Sequence, residues 1–219
     1  GIGWVLVTDI NKPDLQVSNV SLTSNTLPAL ASYSYQVSVV NTGFATASSG
    51  LLVRGYLSQN SIVDASDVIV SEDFILTSVP IGQTAVLNGS TTAPNLPGQH
   101  RLLFQVNPLV SITELLHTNN TSLPTIVDIV PDYTATAQVV DAHYPKNTPI
   151  PITGTATRSS SLPAANEPVE VYVITGGLRR EVQTTTDDNG NYATSFVPLA
   201  AEAGHYIVGA SFPGIEAIA

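Results

Sequence analysis

The nine residues Thr125-Ile126-Val127-Asp128-Ile129-Val130-Pro131-Asp132-Tyr133 constrain this chain more than any others. An apolar run stops at a proline, which fixes φ and withholds the backbone donor that a β-ladder would need to continue. Directly after Pro-Asp a new alternating segment begins, Tyr133-Thr134-Ala135-Thr136-Ala137-Gln138-Val139, and it predicts the first strand of a fresh unit. The same grammar stands near the amino terminus. Trp4-Val5-Leu6-Val7-Thr8-Asp9-Ile10 is followed by Lys12-Pro13-Asp14-Leu15. Two junctions of one design predict β-units in series: an N-terminal strand at 1–11, a first unit at 12–130 and a second at 131–219. Each unit is near the roughly 100 residues of a single β-sandwich.

Within the first unit the clearest strand is Tyr33-Ser34-Tyr35-Gln36-Val37-Ser38-Val39, apolar and polar in strict alternation, closed by Asn41-Thr42-Gly43. Leu15 to Leu22 precedes it, and Pro28 reads as a break. Leu51 to Ser58, Thr84 to Leu87 and His100 to Val106 follow, with Leu102, Phe104 and Val106 sharing one face. In the second unit Ile150 to Ala156, Val169 to Ile174, Arg180 to Thr186, Asn191 to Phe196 and Gly204 to Ala210 read as strands. Gly176-Gly177 turns the chain, and Asp187-Asp188-Asn189-Gly190 reads as a hairpin. Short strands at roughly 8–12-residue spacing with no amphipathic helix predict an all-β fold. It is expected to comprise two tandem immunoglobulin-like antiparallel sandwiches, with the second short of its closing strand.

Composition narrows the partners. Only 11% of residues are charged and the net charge is −10, with two lysines and five arginines, so nucleic acid is a poor partner. Apolar stretches reach about seven residues, against the roughly 20 that a membrane-spanning helix requires. Cysteine and methionine are both absent. A chain without oxidisable side chains suits export, and an extracellular or cell-surface location is expected.

Pro13-Asp14-Leu15, the Tyr33/Tyr35 strand, Asn41-Thr42-Gly43 and Tyr56-Leu57-Ser58 with Asp64 and Asp67 form one ordered set with Gly82, Gly98, Ile112-Thr113-Glu114 and Asn119-Asn120. On these residues the segment 13–129 resembles the CARDB family, the cell-adhesion-related modules of bacteria, and the resemblance implies an immunoglobulin-like sandwich. The chain departs from the family at Asn107, where an Asp is usual. The second unit is similar to immunoglobulin-like or carboxypeptidase-regulatory-like domains through Pro168-Val169-Glu170-Val171, Thr186-Asp187-Asp188-Asn189-Gly190 and Ala203-Gly204-His205-Tyr206. Both resemblances imply accessory repeats of large secreted or surface proteins.

Candidate chemistry is sparse. Glu114, Asn119 and Asn120 offer oxygen to a calcium ion, and so do Asp64 and Asp67 with Glu72 and Asp73 beyond them. The plainer expectation is that Asn119-Asn120 makes a turn, that Glu114 accepts hydrogen bonds from backbone amides, and that the acidic run is a solvated loop. No calcium-loop spacing is present, and the four histidines are scattered without a metal-binding pattern. No nucleophile elbow occurs either, and no cofactor and no catalysis are expected.

An isolated apolar strand at residues 1–10 exposes a ladder to water, so it demands a partner. Either it closes a preceding domain of a longer chain, or Trp4, Val5, Leu6, Val7 and Ile10 form a donor strand inserted into the second unit of a neighbouring copy. A head-to-tail contact that does not close builds a filament. The expected function is therefore structural or adhesive. The alternative is an accessory spacer, or weak glycan-binding, region of a secreted polysaccharide-degrading enzyme or adhesin.

Overall fold

The computed structural model of the protein describes residues 10–200 and 202–215. The chain divides into two compact units between Val130 and Pro131, and all regular elements among the described residues are β-strands. The expected N-terminal strand at 1–11 lies almost wholly outside the described residues.

Unit 1 holds β1 (Leu15–Leu22), β2 (Thr26–Pro28), β3 (Ser32–Asn41), β4 (Leu51–Ser58), β5 (Val68–Ile75), β6 (Thr84–Thr92), β7 (Gly98–Val106) and β8 (Thr125–Val130). One sheet has the order β1-β3-β6 and the other β2-β8-β7-β4-β5. Alternation in β3 puts Tyr33, Tyr35, Val37 and Val39 into the core, while β7 sends in Leu102, Phe104 and Val106 from the facing sheet. Burying each such side chain stabilises the fold by about 1.5–3 kcal/mol.

Two features of unit 1 depart from the sequence reading. Glu72 and Asp73 belong to strand β5, paired with Arg54 and Val53 of β4, so only the Asp64 and Asp67 part of the acidic run is a loop. Pro28 does not break the chain but ends β2, which pairs in parallel with β8 through Thr26↔Asp128 and Leu27↔Ile129. A proline is tolerated there because β2 is an edge strand.

Unit 2 holds β9 (Tyr133–Ala135), β10 (Gln138–Val139), β11 (Ile150–Arg158), β12 (Pro168–Thr175), β13 (Leu178–Thr185), β14 (Asn191–Phe196) and β15 (Ile207–Ser211). β11 pairs β9, β10 and β14, and a second sheet has the order β13-β12-β15. The turn between β12 and β13 is Gly176-Gly177, with φ of 55° and 80°, values a two-residue hairpin demands. Asp187 to Gly190 is not the hairpin that its Asn-Gly suggests. It carries the chain from β13 in one sheet to β14 in the other, closed by Gly190 N donating to Asp187 O at 3.0 Å.

Four glycines inside strands stand directly across from an aromatic ring. Gly55 faces Phe104, Gly89 faces Tyr35, Gly154 faces Tyr192 and Gly209 faces Tyr172. At each, a Cβ would fall on the opposing ring. Tyr35 also ties the two sheets together: its ring packs on Phe104 at a 4.8 Å centroid distance and its hydroxyl donates to Asp73. Burial, reinforced by that carboxylate, holds the Tyr35 phenol well above its ordinary pKa. Gly89→Ala is expected to destabilise unit 1 by about 1–3 kcal/mol, because the ring cannot retreat into a filled core. Calorimetry should show the transition of unit 1 lowered and that of unit 2 unmoved; an unchanged first transition would refute the glycine–tyrosine argument.

Candidate functional site

Two regions of the molecule carry more than core packing, one in each unit. In unit 1, β1 begins where β3 and β7 end, since Leu15 is opposite Asn41 and the Glu114 carboxylate joins Leu15 to Asn107, the residue after β7. The loop from β7 to β8 folds over this pole. Glu114 is buried there, and a buried carboxylate is tolerated only when its oxygens are hydrogen-bonded. Oε2 accepts from Leu15 N at 2.7 Å, and Oε1 accepts from Asn107 Nδ2 at 2.5 Å and Asn120 Nδ2 at 2.9 Å. His117 Nδ1 stands 3.6 Å from Oε1.

Asn41, also buried, completes the pole. Its Oδ1 accepts from Asp14 N at 3.1 Å and Gly43 N at 3.0 Å, and its Nδ2 donates to Ala45 O and Val79 O. Asp14 Oδ1 accepts from Asn119 Nδ2 at 2.9 Å. The structure thus brings Glu114, Asn119 and Asn120 together as a hydrogen-bonded cluster around the start of β1. The side-chain oxygens of Asn119 and Asn120 are buried without a hydrogen-bond partner.

Asp64 and Asp67 lie elsewhere, in the loop from β4 to β5, away from that pole. Asp64 Oδ1 accepts from Ser66 N at 2.7 Å and from Ser66 Oγ at 2.5 Å, bonds that hold its carboxyl below the ordinary range, while Asp67 Oδ2 accepts from Asp64 N. Among the described residues no group of three or more His, Asp or Glu side chains is placed to hold a metal ion.

In unit 2 the feature is an edge. β15 is hydrogen-bonded to β12 alone among the described strands. Its counterpart in unit 1 is β7, which lies between β4 and β8 and buries Leu102, Phe104 and Val106 almost completely. Val208 and Ala210 of β15 face the core yet stay half-buried. Beside them opens a cleft of about 520 Å³ that runs toward β10, walled by Val139, Tyr144, Ile150, Tyr206 and Val208. The Arg180 guanidinium lies 4.5 Å over the Phe196 ring and pairs with Glu202 at 2.7 Å, pinning the loop before β15.

Of the expected donor strand, Trp4, Val5, Leu6 and Val7 lie outside the described residues. Ile10 is exposed, and its carbonyl accepts from Lys12 N at 2.8 Å.

Sequence reasoning missed Glu170, which anchors this edge from behind. It is opposite Ser211 of β15, and its oxygens accept from Arg179 Nη2 at 2.7 Å, Gln183 Nε2 at 3.0 Å and Gly214 N at 3.3 Å. The only signal was a glutamate set between Val169 and Val171.

No protein-family profile matches the chain, and no curated protein sequence matches it. Solved structures do. The CARDB domain of the PF1109 protein from Pyrococcus furiosus, solved in complex with di-metal ions, is 21% identical over 57% of this chain and 95% of that one, with a TM-score of 0.42. The Yersinia pseudotuberculosis adhesin InvE is 15% identical over 93% of this chain and 53% of its own length, with a TM-score of 0.42. The D0-D1 domain of intimin is 16% identical over 91% and 93%, with a TM-score of 0.31. At these identities the likeness is one of fold: the chain resembles CARDB and immunoglobulin-like adhesin domains in architecture. No described helix is long and apolar enough to cross a membrane.

Burial pushes the Glu170 carboxyl up, but the Arg179, Gly214 and Gln183 hydrogen bonds outweigh it and hold the group below its ordinary 4.5. A depressed carboxylate stabilises the folded state above that value and loses its contribution as pH falls through the folded pKa. Asp187, held down first by the Asn191 amide, and Glu202, held down first by the Leu199 amide, act in the same direction. The melting temperature of unit 2 is therefore expected to fall as pH drops below 4.5. Glu170→Gln should lower it at pH 7 and make the acid fall shallower, as differential scanning fluorimetry across pH would show. An unchanged acid slope would remove Glu170 from the account.

Proposed function

We propose that this protein is a non-catalytic structural and adhesive component of an extracellular cell surface. In this reading copies join head to tail, residues 1–10 of one copy lying along β15 in unit 2 of the next. The observation that carries the reading is the edge of β15, which pairs with β12 alone among the described strands and lies above a half-covered core. Strand addition supplies main-chain hydrogen bonds for affinity and seats alternate side chains in a groove for register.

The edge offers both. No other described strand takes the backbone donors and acceptors on the outer side of β15, and the cleft toward β10 is walled by aliphatic and aromatic groups that the apolar residues Trp4, Val5, Leu6 and Val7 suit chemically. A free edge that faces a half-exposed core is an aggregation hazard unless a strand covers it, and a dedicated partner turns the hazard into specific assembly. Contacts of this kind are heterologous, so repetition extends them into a fibre instead of closing a ring.

Electron microscopy and size-exclusion chromatography of the chain with and without residues 1–11 test the proposal. The full chain is expected to form linear assemblies and the shortened chain to remain monomeric. A synthetic peptide of residues 1–11 should raise the melting temperature of unit 2 in the shortened chain and leave unit 1 alone. If both chains are monomers and the peptide has no effect, the donor-strand reading is wrong.

A further inference from the structure

We propose that the polar cluster around the start of β1 is a mechanical latch, so that unit 1 bears tension applied along the chain. The inference rests on unit 1 alone and holds whichever partner residues 1–10 take.

The path of the chain through unit 1 sets the load. β1 starts at the pole where β3 and β7 end, while β8 leaves at the opposite pole. There Ala29 N donates to Val130 O, Ile129 is paired with Gly98 at the start of β7, and Leu30 N donates to Ala93 O just after β6. Tension between the two ends therefore draws β1 out along its own axis. Its partner is antiparallel β3, joined from Leu15↔Asn41 to Leu22↔Tyr35, and β8 is drawn the other way against β7 and β2. Pulled in this direction a ladder is sheared and its hydrogen bonds are loaded together, whereas a ladder peeled from one end breaks them one at a time.

Shear concentrates strain where the pulled strand begins, and residues 12–15 are bonded there by the end of β3 with the loop after it and by the loop after β7. From the loop after β3, Phe44 N donates to Lys12 O at 2.8 Å and Thr42 N to Asp14 O at 2.8 Å, while Asn41 Oδ1 accepts from Asp14 N. From the loop after β7, Leu115 N donates to Pro13 O at 2.9 Å, Glu114 Oε2 accepts from Leu15 N, and Asn119 Nδ2 donates to Asp14 Oδ1. Glu114 and Asn41 are in turn held by Asn107, Asn120, Ala45 and Val79. Gly43 has no Cβ, and one would strike the backbone of residues 12–14, so the loop closes on the strand without a gap.

Most of these bonds connect residues 27 to 105 positions apart. Apolar contacts are non-directional and yield gradually as β1 is displaced along its axis; hydrogen bonds to a buried carboxylate depend steeply on length and angle and do not.

Single-molecule force spectroscopy on the full chain between marker domains reads the latch directly, unit 2 serving as internal control. Glu114→Gln keeps the shape but sets an amide donor against other donors, and is expected to speed rupture of unit 1 about tenfold at constant force. Val53→Ala, a core substitution on a strand that is not pulled, should lower equilibrium stability while changing rupture under load by less than about threefold. Should Glu114→Gln fail to fold, Asn119→Ala at the half-buried margin is expected to speed rupture in the same direction. If the variants speed rupture only in proportion to their loss of equilibrium stability, or if the latch variants leave it unchanged, the latch bears no load.

Discussion

A sandwich strand that faces the core needs cover on its inner side and a neighbour on each edge, and the difference between the two units follows from that requirement. In unit 1, β7 has β4 on one side and β8 on the other, and Phe104 at its centre is 1% exposed. In unit 2, β15 has the equivalent inner face but only β12 as a neighbour among the described strands, and its apolar residues stay half in water. An unpaired ladder beside half-wet apolar groups leaves backbone polar groups and hydrophobic area both unspent. The same backbone logic that makes β7 an interior strand leaves β15 at the margin of its sheet among the described strands.

Aromatic rings are scarce here, 6% of residues, and most of the tyrosines serve construction instead of display. Tyr35, Tyr172 and Tyr192 each lie across a glycine on the neighbouring strand. The ring then fills the volume two side chains would share, and its hydroxyl is free to reach further. Tyr35 reaches Asp73 on the facing sheet, and Tyr192 reaches the carbonyl of Thr136, which completes the broken ladder between β9 and β10. Buried hydroxyls paired in this way cost little and fix the spacing of the layers. A sugar-binding surface would want such rings exposed and side by side, which these are not.

Much of this architecture was legible in the residues, because period-two alternation is a direct consequence of pleating. β3, β4 and β7 could be placed within a residue or two from their alternation and flanking turns. What escaped has a physical reason in each instance. β5 is an edge strand on which Glu72 meets Arg54 at 2.5 Å on the solvent side while Asp73 turns inward to the Tyr35 hydroxyl, so its composition mimics a loop. β2 is three residues long and parallel to β8, and neither alternation nor a hairpin turn marks such a pair. Asp187-Asp188-Asn189-Gly190 has hairpin chemistry, yet the same positive φ at Gly190 serves a crossing between sheets, and only the pairing of β13 and β14 with different strands distinguishes the two. At the pole of unit 1 the sequence indicated that Glu114 and Asn119-Asn120 belong to one connection. It did not reveal Asn41 or Asn107 as partners, because nothing in a linear chain marks residues separated by so many positions as neighbours.

The choice of a carboxylate for that buried pole is itself informative. Replacing a buried polar cluster by packed hydrocarbon is often neutral or stabilising, so equilibrium stability is a weak reason to keep one. Strand ends are a special place, however. The donors of Asp14, Leu15 and Gly43 point into the pole where no ladder strand can receive them, and hydrocarbon would leave them unsatisfied at about 1–3 kcal/mol each. Asn41 and Glu114 are the acceptors that close this account, and they do so with bonds of fixed length and direction. The geometry that satisfies the start of β1 is therefore the geometry that fixes its register against β3. A one-residue slip, which would turn Val17 and Val20 from the core side toward solvent, would break every one of those bonds at once.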